Sequence, residues 1–184
     1  QCTIVVNQRE VEEIIVFDRE RIDLFVGDLF SYEFSSTVAD NTVLTFVSSL
    51  PEVAEVSESA TVKNGKASMQ LKALTCGETT ISVNFNGKTA NILLRVSNEV
   101  ELYLDAPEEI VASSETPYKL NWSLKINGEP KENSENIIWT SSNESVAAVT
   151  DGMLTAKAYG DVTISLAYQD EYTERSESID LEIY

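Results

Sequence analysis

The chain has 184 residues, and its 13 lysine and arginine residues stand against 31 aspartate and glutamate residues, which gives a formal net charge of −18. This charge excludes nucleic acid as a natural partner and disfavours anionic lipid surfaces, because both are bound by clustered cations. Histidine is absent, which excludes histidine-based triads and histidine-containing zinc sites, while 42% hydrophobic and 24% charged residues are ordinary for a folded globular chain.

The N-terminal segment carries no export or membrane signal. Residues 1–6 lack a basic stretch and a long apolar stretch, and no apolar run reaches the roughly 18 to 20 residues that cross a bilayer. We therefore expect no membrane insertion, with a signal either removed or never present. The only cysteines are Cys2 and Cys76. They allow one disulfide, two thiols in a reducing compartment or a lipid-modified Cys2, and these alternatives stay open.

The segment from Val11 to Val26 permits two interpretations. Its apolar residues suit one face of a helix, or they form two strands, Ile14–Phe17 and Ile22–Val26, around a charged turn. β-Branched side chains are restricted in helices and enriched in strands. The sequence therefore favours the two strands.

Turn signals dominate the rest of the chain. Four glycines follow asparagine or aspartate, at Asn64-Gly65, Asn86-Gly87, Asn127-Gly128 and Asp151-Gly152. Such pairs supply the positive φ angles of tight hairpin turns. Their alternating or β-branched flanks predict a hairpin of residues 79–85 with 92–96 and another of residues 60–63 with 66–71. Short strands with turns at intervals of roughly 8 to 12 residues are typical of an all-β sandwich.

An internal repeat divides the chain in two. Residues 44–56 match residues 137–149 at an offset of 93, and residues 71–82 match residues 154–165 at an offset of 83. The difference of 10 residues between these offsets places an inserted hairpin, residues 60–71, in the first copy. The repeat predicts one domain at residues 1–97, with an extra N-terminal strand, and a second at residues 98–184.

The second copy resembles the group 2 bacterial immunoglobulin-like domain of the invasin and intimin type. The resemblance rests on three blocks in order, Ile138–Val149 with its tryptophan at Trp139, Asp151–Ala156 and Gly160–Ile164. The first copy is similar but weaker. It has Phe46 in place of the tryptophan and opens with a strand, Ile22–Gly27, like the entry strand of the family. The second copy departs there, because it has Ser113–Pro117 in place of the Gly-Asp of the first copy. The resemblance implies an all-β fold of two tandem immunoglobulin-like β-sandwich domains.

Six residues are expected to have structural roles in these sandwiches. Phe46 and Trp139 should fill the space between two sheets, and Gly77 and Gly160 should take positive φ angles or lie close to neighbouring backbone. Branched residues suit the sharp crossing between sheets, at Val56 in the first copy and Val149 in the second.

No catalytic or cofactor-binding residue is expected, and we interpret the chain as not an enzyme. The many carboxylates are best explained as solvated faces, and no glycine-rich phosphate loop or nucleophile elbow occurs. Lys72 and Lys157 read as ordinary strand residues, not as partners in lysine–asparagine cross-links. No metal site is expected either, although oxygen-rich loops suit calcium best among the metals, and its candidate ligands are Asp105, Glu108 and Glu109.

Two further features concern sugars. The sequences Asn121-Trp122-Ser123 and Asn143-Glu144-Ser145 fit the glycan acceptor pattern, but they are accidental if the source is bacterial, as the resemblance implies. Tyrosine rings can stack on sugars or pack in a core, and the candidates are Tyr103, Tyr168, Tyr172 and Tyr184.

The resemblance implies a non-catalytic structural or adhesive module exposed on a bacterial surface. It would act as a spacer or as a binding domain for a protein or glycan on a cell surface. Two alternatives stay open: a structural or decoration protein of a phage virion, made to contact other virion proteins, and a carbohydrate-binding module.

Overall fold

The computed structural model describes residues 12–113, 116–132 and 135–184, and within these residues all regular structure is β-strand. The predicted all-β class with immunoglobulin-like sandwiches is confirmed by the strand order given below. Cys2 lies outside the described residues, so the three alternatives for Cys2 and Cys76 stay open. No helix in the described residues has the length and hydropathy needed to cross a bilayer.

The chain divides into two compact units, the first ending at Val96 and the second running from Ser97 to Tyr184. The described strands of unit 1 are β1 (Ile15–Val16), β2 (Arg21–Phe25), β3 (Leu29–Ser36), β4 (Val43–Ser48), β5 (Ala54–Val56), β6 (Ser59–Thr61), β7 (Lys66–Ala73), β8 (Gly77–Phe85) and β9 (Lys88–Ser97). One sheet has the order β1, β3, β7, β5, and the other has the order β2, β9, β8, β4, β6.

Unit 2 divides its described strands among three smaller sheets. Its described strands are β10 (Val100–Asp105), β11 (Tyr118–Lys119), β12 (Asn121–Ile126), β13 (Glu129–Lys131), β14 (Ile137–Ser141), β15 (Ala147–Thr150), β16 (Met153–Ala156), β17 (Gly160–Gln169) and β18 (Glu174–Ile183). They form three sheets, with the orders β10, β12, β13, then β11, β16, β15, and then β14, β17, β18.

Alternation along the strands produces one apolar core in each unit. β7 alternates between exposed and buried residues along its whole length, and β8 and β17 bury every second side chain. Because successive side chains of a strand point to opposite faces, one face of each sheet packs inward and the other meets solvent. The inward side chains form two separate clusters of buried residues, one in each unit.

The strand interpretation of the N-terminal segment is confirmed within the described residues. β1 pairs with β3, and β2 lies beside β9 in the other sheet, so the charged turn between them carries the chain from one sheet to the other. Tyr32 anchors this turn, because its hydroxyl donates to Asp18 Oδ1 at 2.5 Å and accepts from Asp18 N at 3.2 Å. Hydrogen bonds from Arg19 and then Tyr32 lower the pKa of Asp18.

Equivalent residues of the two units make the same backbone contacts. Ala54 pairs with Ala73 in unit 1, and Ala147 pairs with Ala156 in unit 2. Two further backbone hydrogen bonds of unit 1 have counterparts in unit 2. The bond from Val53 N to Leu50 O corresponds to that from Val146 N to Asn143 O. The bond from Leu74 N to Val53 O corresponds to that from Lys157 N to Val146 O. The sequence repeat is therefore also a repeat of backbone geometry.

The predicted hairpin at residues 60–71 is wrong in its pairing. Its turn is present, with φ of 52° at Asn64 and 71° at Gly65, but the turn closes only one isolated bridge, between Lys63 and Lys66. β6 pairs with β4 in one sheet, while β7 pairs with β3 and β5 in the other. The inserted residues therefore add an edge strand to the opposite sheet.

Candidate binding surfaces

The predicted core aromatics occupy equivalent places in the two units. Phe46 is 5% exposed and packs edge to face on Phe34, with ring centroids 6.2 Å apart. Trp139 is half-buried against the core of unit 2, where it contacts Trp122. Phe30 lies opposite Leu71, and Tyr118 lies opposite Leu154, which is the counterpart of Leu71 in the repeat. Phe30 and Tyr118 are therefore equivalent, and so are Phe34 and Trp122, which lie four residues further along each chain segment.

Both predicted glycines lie against a buried valine. Gly77 has φ of 154°, and a Cβ atom there would lie 2.9 Å from Val53 Cγ2. Gly160 has φ of 138°, and its Cβ atom would lie 3.4 Å from Val146 Cγ2. The other two predicted structural residues, Val56 and Val149, are half-buried and pack against the cores of their units.

The calcium candidates are exposed. Asp105 ends β10, where it accepts hydrogen bonds from the Tyr103 hydroxyl at 3.2 Å and from Ala106 N at 2.9 Å. Glu108 and Glu109 follow in an irregular segment. In the described ranges no group of three or more acidic or cysteine side chains has the arrangement of a metal site. A calcium site at these residues remains an untested prediction.

The four tyrosines proposed for sugar stacking have different environments. Tyr168 is 3% exposed, so stacking on a sugar is excluded for this ring, which is buried in unit 2. Tyr172 is half-buried, whereas Tyr103 and Tyr184 are about half exposed, at 50% and 54%. The Asp105 charge, followed by their hydrogen bond, raises the pKa of Tyr103.

The lysines considered for cross-links are engaged elsewhere. Lys72 lies 3.6 Å from Glu55 in an exposed ion pair, and Lys157 Nζ donates to the Glu144 carbonyl at 2.9 Å. Both contacts are ordinary surface interactions of strand ends.

Asp170 organises the turn between β17 and β18. Its carboxylate accepts hydrogen bonds at 2.7 to 2.9 Å from Tyr168 Oη, Asn98 Nδ2, Tyr172 N and Thr173 N. Burial raises the pKa of this carboxyl, but the four donors outweigh burial and hold its pKa below 3.8. Asn98 N also donates to Thr173 Oγ1 at 2.9 Å, so the turn fixes the first residues of unit 2.

On the outer face of the five-stranded sheet in unit 1, the rows that cross β4, β8 and β9 carry no charged side chain, whereas β2 beside them exposes Arg21 and Asp23 and the next row pairs Glu78 with Arg95. Neighbouring strands align Val47, Ser82 and Asn91 in one row and Thr45, Asn84 and Thr89 in the next. Thr80 and Leu93 form a third row, and β6 adds Ser59 and Thr61 at the edge. We call these ten residues the uncharged face of unit 1.

Hydroxyl and amide groups pair across these rows. Ser82 Oγ donates to Asn91 Oδ1 at 2.9 Å, and Thr89 Oγ1 donates to Asn84 Oδ1 at 2.8 Å. Such cross-strand pairs stabilise a sheet by about 0.2 to 1 kcal/mol each. They also fix the orientation of these side chains.

Unit 2 has the same kind of face on its β14, β17, β18 sheet. Its rows are Thr140, Ser165 and Ser178, and Ile138, Ala167 and Ser176. The Ser165 and Ser178 hydroxyls lie 2.9 Å apart. We call these six residues the uncharged face of unit 2. The two faces occupy equivalent strands.

Sequence reasoning did not identify these faces. Alternation within residues 79–85 indicates which side chains share a side of the strand, but which strands are neighbours is a long-range property. The available signal was the cluster of serine, threonine and asparagine at outward positions in a chain of high negative charge.

Comparisons with known proteins give structural likeness only. No protein-family model matches the sequence, and the search of curated proteins gives no match. The fold is similar to that of a C-terminal 282-residue fragment of intimin, solved in complex with the intimin-binding domain of the translocated intimin receptor, with 18% identity and a TM-score of 0.44. That match covers 92% of this chain and 64% of the intimin fragment, so the chain spans less than two thirds of its length.

Two further solved structures are similar over most of their own lengths. Domains 5–6 of the S-layer protein SbsC have 13% identity and a TM-score of 0.39, with 94% of this chain and 98% of that chain covered. The D0-D1 domain of intimin has 16% identity and a TM-score of 0.36, with 89% and 94% covered.

Proposed function

We propose that this chain is a non-catalytic module of a bacterial surface, in which two immunoglobulin-like sandwiches act as a spacer and present a binding surface to a protein or glycan. The observation that carries the proposal is the uncharged face, which recurs on equivalent strands of both units in a chain of net charge −18.

Burying such a face requires little desolvation of charge. The cores of protein interfaces are depleted of charged side chains, because removing an unpaired charge from water is costly. Ser82, Asn84 and Thr89 can exchange hydrogen bonds with a partner, and the exposed side chains of Val47 and Thr45 add apolar contact. The acidic remainder of the surface favours solubility and discourages unspecific association.

The backbone geometry supports the spacer role. Inward side chains fill the core of each unit, and only Asn98 and Glu99 separate the end of β9 from the start of β10. Asn98 is held within unit 2 by its bonds to Asp170 and Thr173. A chain built from closed sandwiches with such a short connection suits a load-bearing or display role.

Labelling of intact cells tests the proposal. Antibodies against the purified chain should label intact cells of the source organism, and external protease should remove the signal without permeabilisation. Labelling that appears only after permeabilisation would contradict the surface location. Co-sedimentation of the chain with phage particles would instead support the virion alternative.

A further inference from the structure

A groove follows the free edge of β18 in unit 2. β18 is the last strand of its sheet, whereas β9, its counterpart in unit 1, is flanked by β2. β10 packs against β18 without joining its sheet. In the described part of unit 2, residues 110–112 contact the C-terminal end of this edge through two hydrogen bonds. Ala112 N donates to Tyr184 O at 2.7 Å, and Tyr184 N donates to Ile110 O at 3.0 Å.

The backbone of β18 presents hydrogen-bonding groups to the groove. Tyr184 directs its N–H and C=O groups away from β17, toward Ile110 and Ala112. Because the direction of these groups alternates along an antiparallel strand, those of Glu182 and Asp180 point to the same edge. An unpaired strand edge is a template for another extended chain.

The groove has an apolar floor and an acidic rim. Ile110, which is 2% exposed, forms the floor with the half-buried side chains of Ile179 and Leu181. The rim consists of four exposed carboxylates, from Asp105, Glu108, Asp180 and Glu182.

This rim carries unneutralised negative charge. Asp161 lies directly opposite Glu182 in the β17–β18 ladder, and like charges in that position destabilise a sheet. The ion pairs of Arg19, Arg21, Lys66, Lys72, Lys125 and Arg175 involve neither these two carboxylates nor the rest of the rim. Asp180 accepts a hydrogen bond from Thr163 Oγ1 at 2.7 Å. The Tyr184 hydroxyl donates to Glu182 at 2.6 Å, and this bond, followed by the Glu182, Asp161 and Glu109 charges, raises the pKa of Tyr184.

We propose that the β18 groove binds an extended cationic segment of a partner protein, which adds to β18 as a further strand. Its backbone would pair with Asp180 and Glu182, and its alternating side chains would place lysine or arginine at the carboxylates and apolar groups on Ile179 and Leu181. This inference goes beyond the proposed function, because it concerns the edge of unit 2 and does not depend on the uncharged faces or on a surface location. The competing explanation is that the carboxylates only prevent edge-to-edge aggregation.

Peptide binding to the full chain separates these explanations. The probe is a capped eight-residue peptide of alternating arginine and valine, compared with one in which glutamate replaces arginine and one in which proline replaces valine. The arginine–valine peptide should bind saturably near physiological salt and shift the backbone amide NMR signals of residues 105–110 and 179–184. The proline peptide keeps the charge but loses backbone donors, so it should bind at least about tenfold more weakly.

Charge-matched variants provide the control. D180N/E182Q should weaken binding of the arginine–valine peptide by about tenfold or more, whereas E52Q/E58Q, which removes two exposed carboxylates of unit 1, should change it less than about twofold. Circular dichroism melting should show both variants folded. Equal losses in both variants, equal binding of the proline peptide or no saturable binding would each overturn the proposal.

Discussion

Trp139 stands edge to face against Trp122 in unit 2, with ring centroids 5.8 Å apart and an interplanar angle of 86°. The equivalent pair in unit 1, Phe46 and Phe34, has nearly the same arrangement, with an angle of 82°. The duplicated fold therefore keeps the ring geometry while the ring type changes.

This contact predicts energetic coupling between the two tryptophans. Edge-to-face pairs are worth about 0.5 to 1.5 kcal/mol beyond the apolar area they bury. A double-mutant cycle of Trp122→Leu and Trp139→Leu, followed by chemical denaturation, should give a coupling free energy in this range. Single effects that add within about 0.3 kcal/mol would show that the rings contribute by burial alone.

Gly77→Ala should destabilise the protein more than Gly160→Ala. The new Cβ atom would lie 2.9 Å from Val53 Cγ2 in the first case and 3.4 Å from Val146 Cγ2 in the second. We expect a loss of unfolding free energy of about 2 kcal/mol or more for Gly77→Ala and about 1 kcal/mol for Gly160→Ala. Adding Val53→Ala to Gly77→Ala should cost less than the sum of the single changes. If the loss in the double variant equals the sum of the two single losses, the strain lies in the backbone φ angle and not in the contact with the valine.

Ser113 and Gly27 predict a reciprocal pair of effects. Both have left-handed backbones, with φ of 59° and 94°, and each N–H donates at 3.0 Å to an equivalent alanine carbonyl, that of Ala156 or Ala73. Serine pays roughly 1 to 2 kcal/mol for this conformation and glycine does not. Thermal unfolding should therefore show stabilisation by up to about 1 kcal/mol for Ser113→Gly and destabilisation by about 1 kcal/mol for Gly27→Ser. The idea fails if both changes destabilise equally.

Asp170 predicts a specific contribution to acid sensitivity. Its folded pKa lies below its ordinary value of 3.8, so the stability it provides is fully present above that value and is lost as the pH falls through the folded pKa. Asp170→Asn should lower the unfolding free energy at neutral pH by about 1 to 3 kcal/mol, because four donors lose a charged acceptor.

The pH profile provides the check on this mechanism. Denaturation measured between about pH 2 and pH 7 should show a smaller acid-dependent loss in Asp170→Asn than in the unmodified chain. Glu171→Gln, which changes an exposed neighbour in the same turn, should leave the profile nearly unchanged. An unaltered acid slope in Asp170→Asn would assign the loss to other carboxylates.

Local signals in the sequence were sufficient for the fold class. Asn-Gly turns, alternating strands and the repeat are properties of short segments, and the resulting strands agree with the observed ones. The pairing of β6 was not predictable in this way, because the Asn64-Gly65 turn is local while the partner of residues 59–61 is chosen by packing. Ser113 likewise carries no local sign of its left-handed backbone, which accompanies a long-range bond to Ala156.

The inserted β6 changes which parts of the protein are open to pairing. In unit 1 it lies beside β4, which thereby becomes an interior strand, whereas the equivalent β14 of unit 2 ends its sheet. The ten extra residues thus cover one edge of this sheet in unit 1, while the equivalent edge in unit 2 stays uncovered. At this edge, strand exchange, templated polymerisation or recruitment of a foreign chain should accordingly occur in the second sandwich and not in the first.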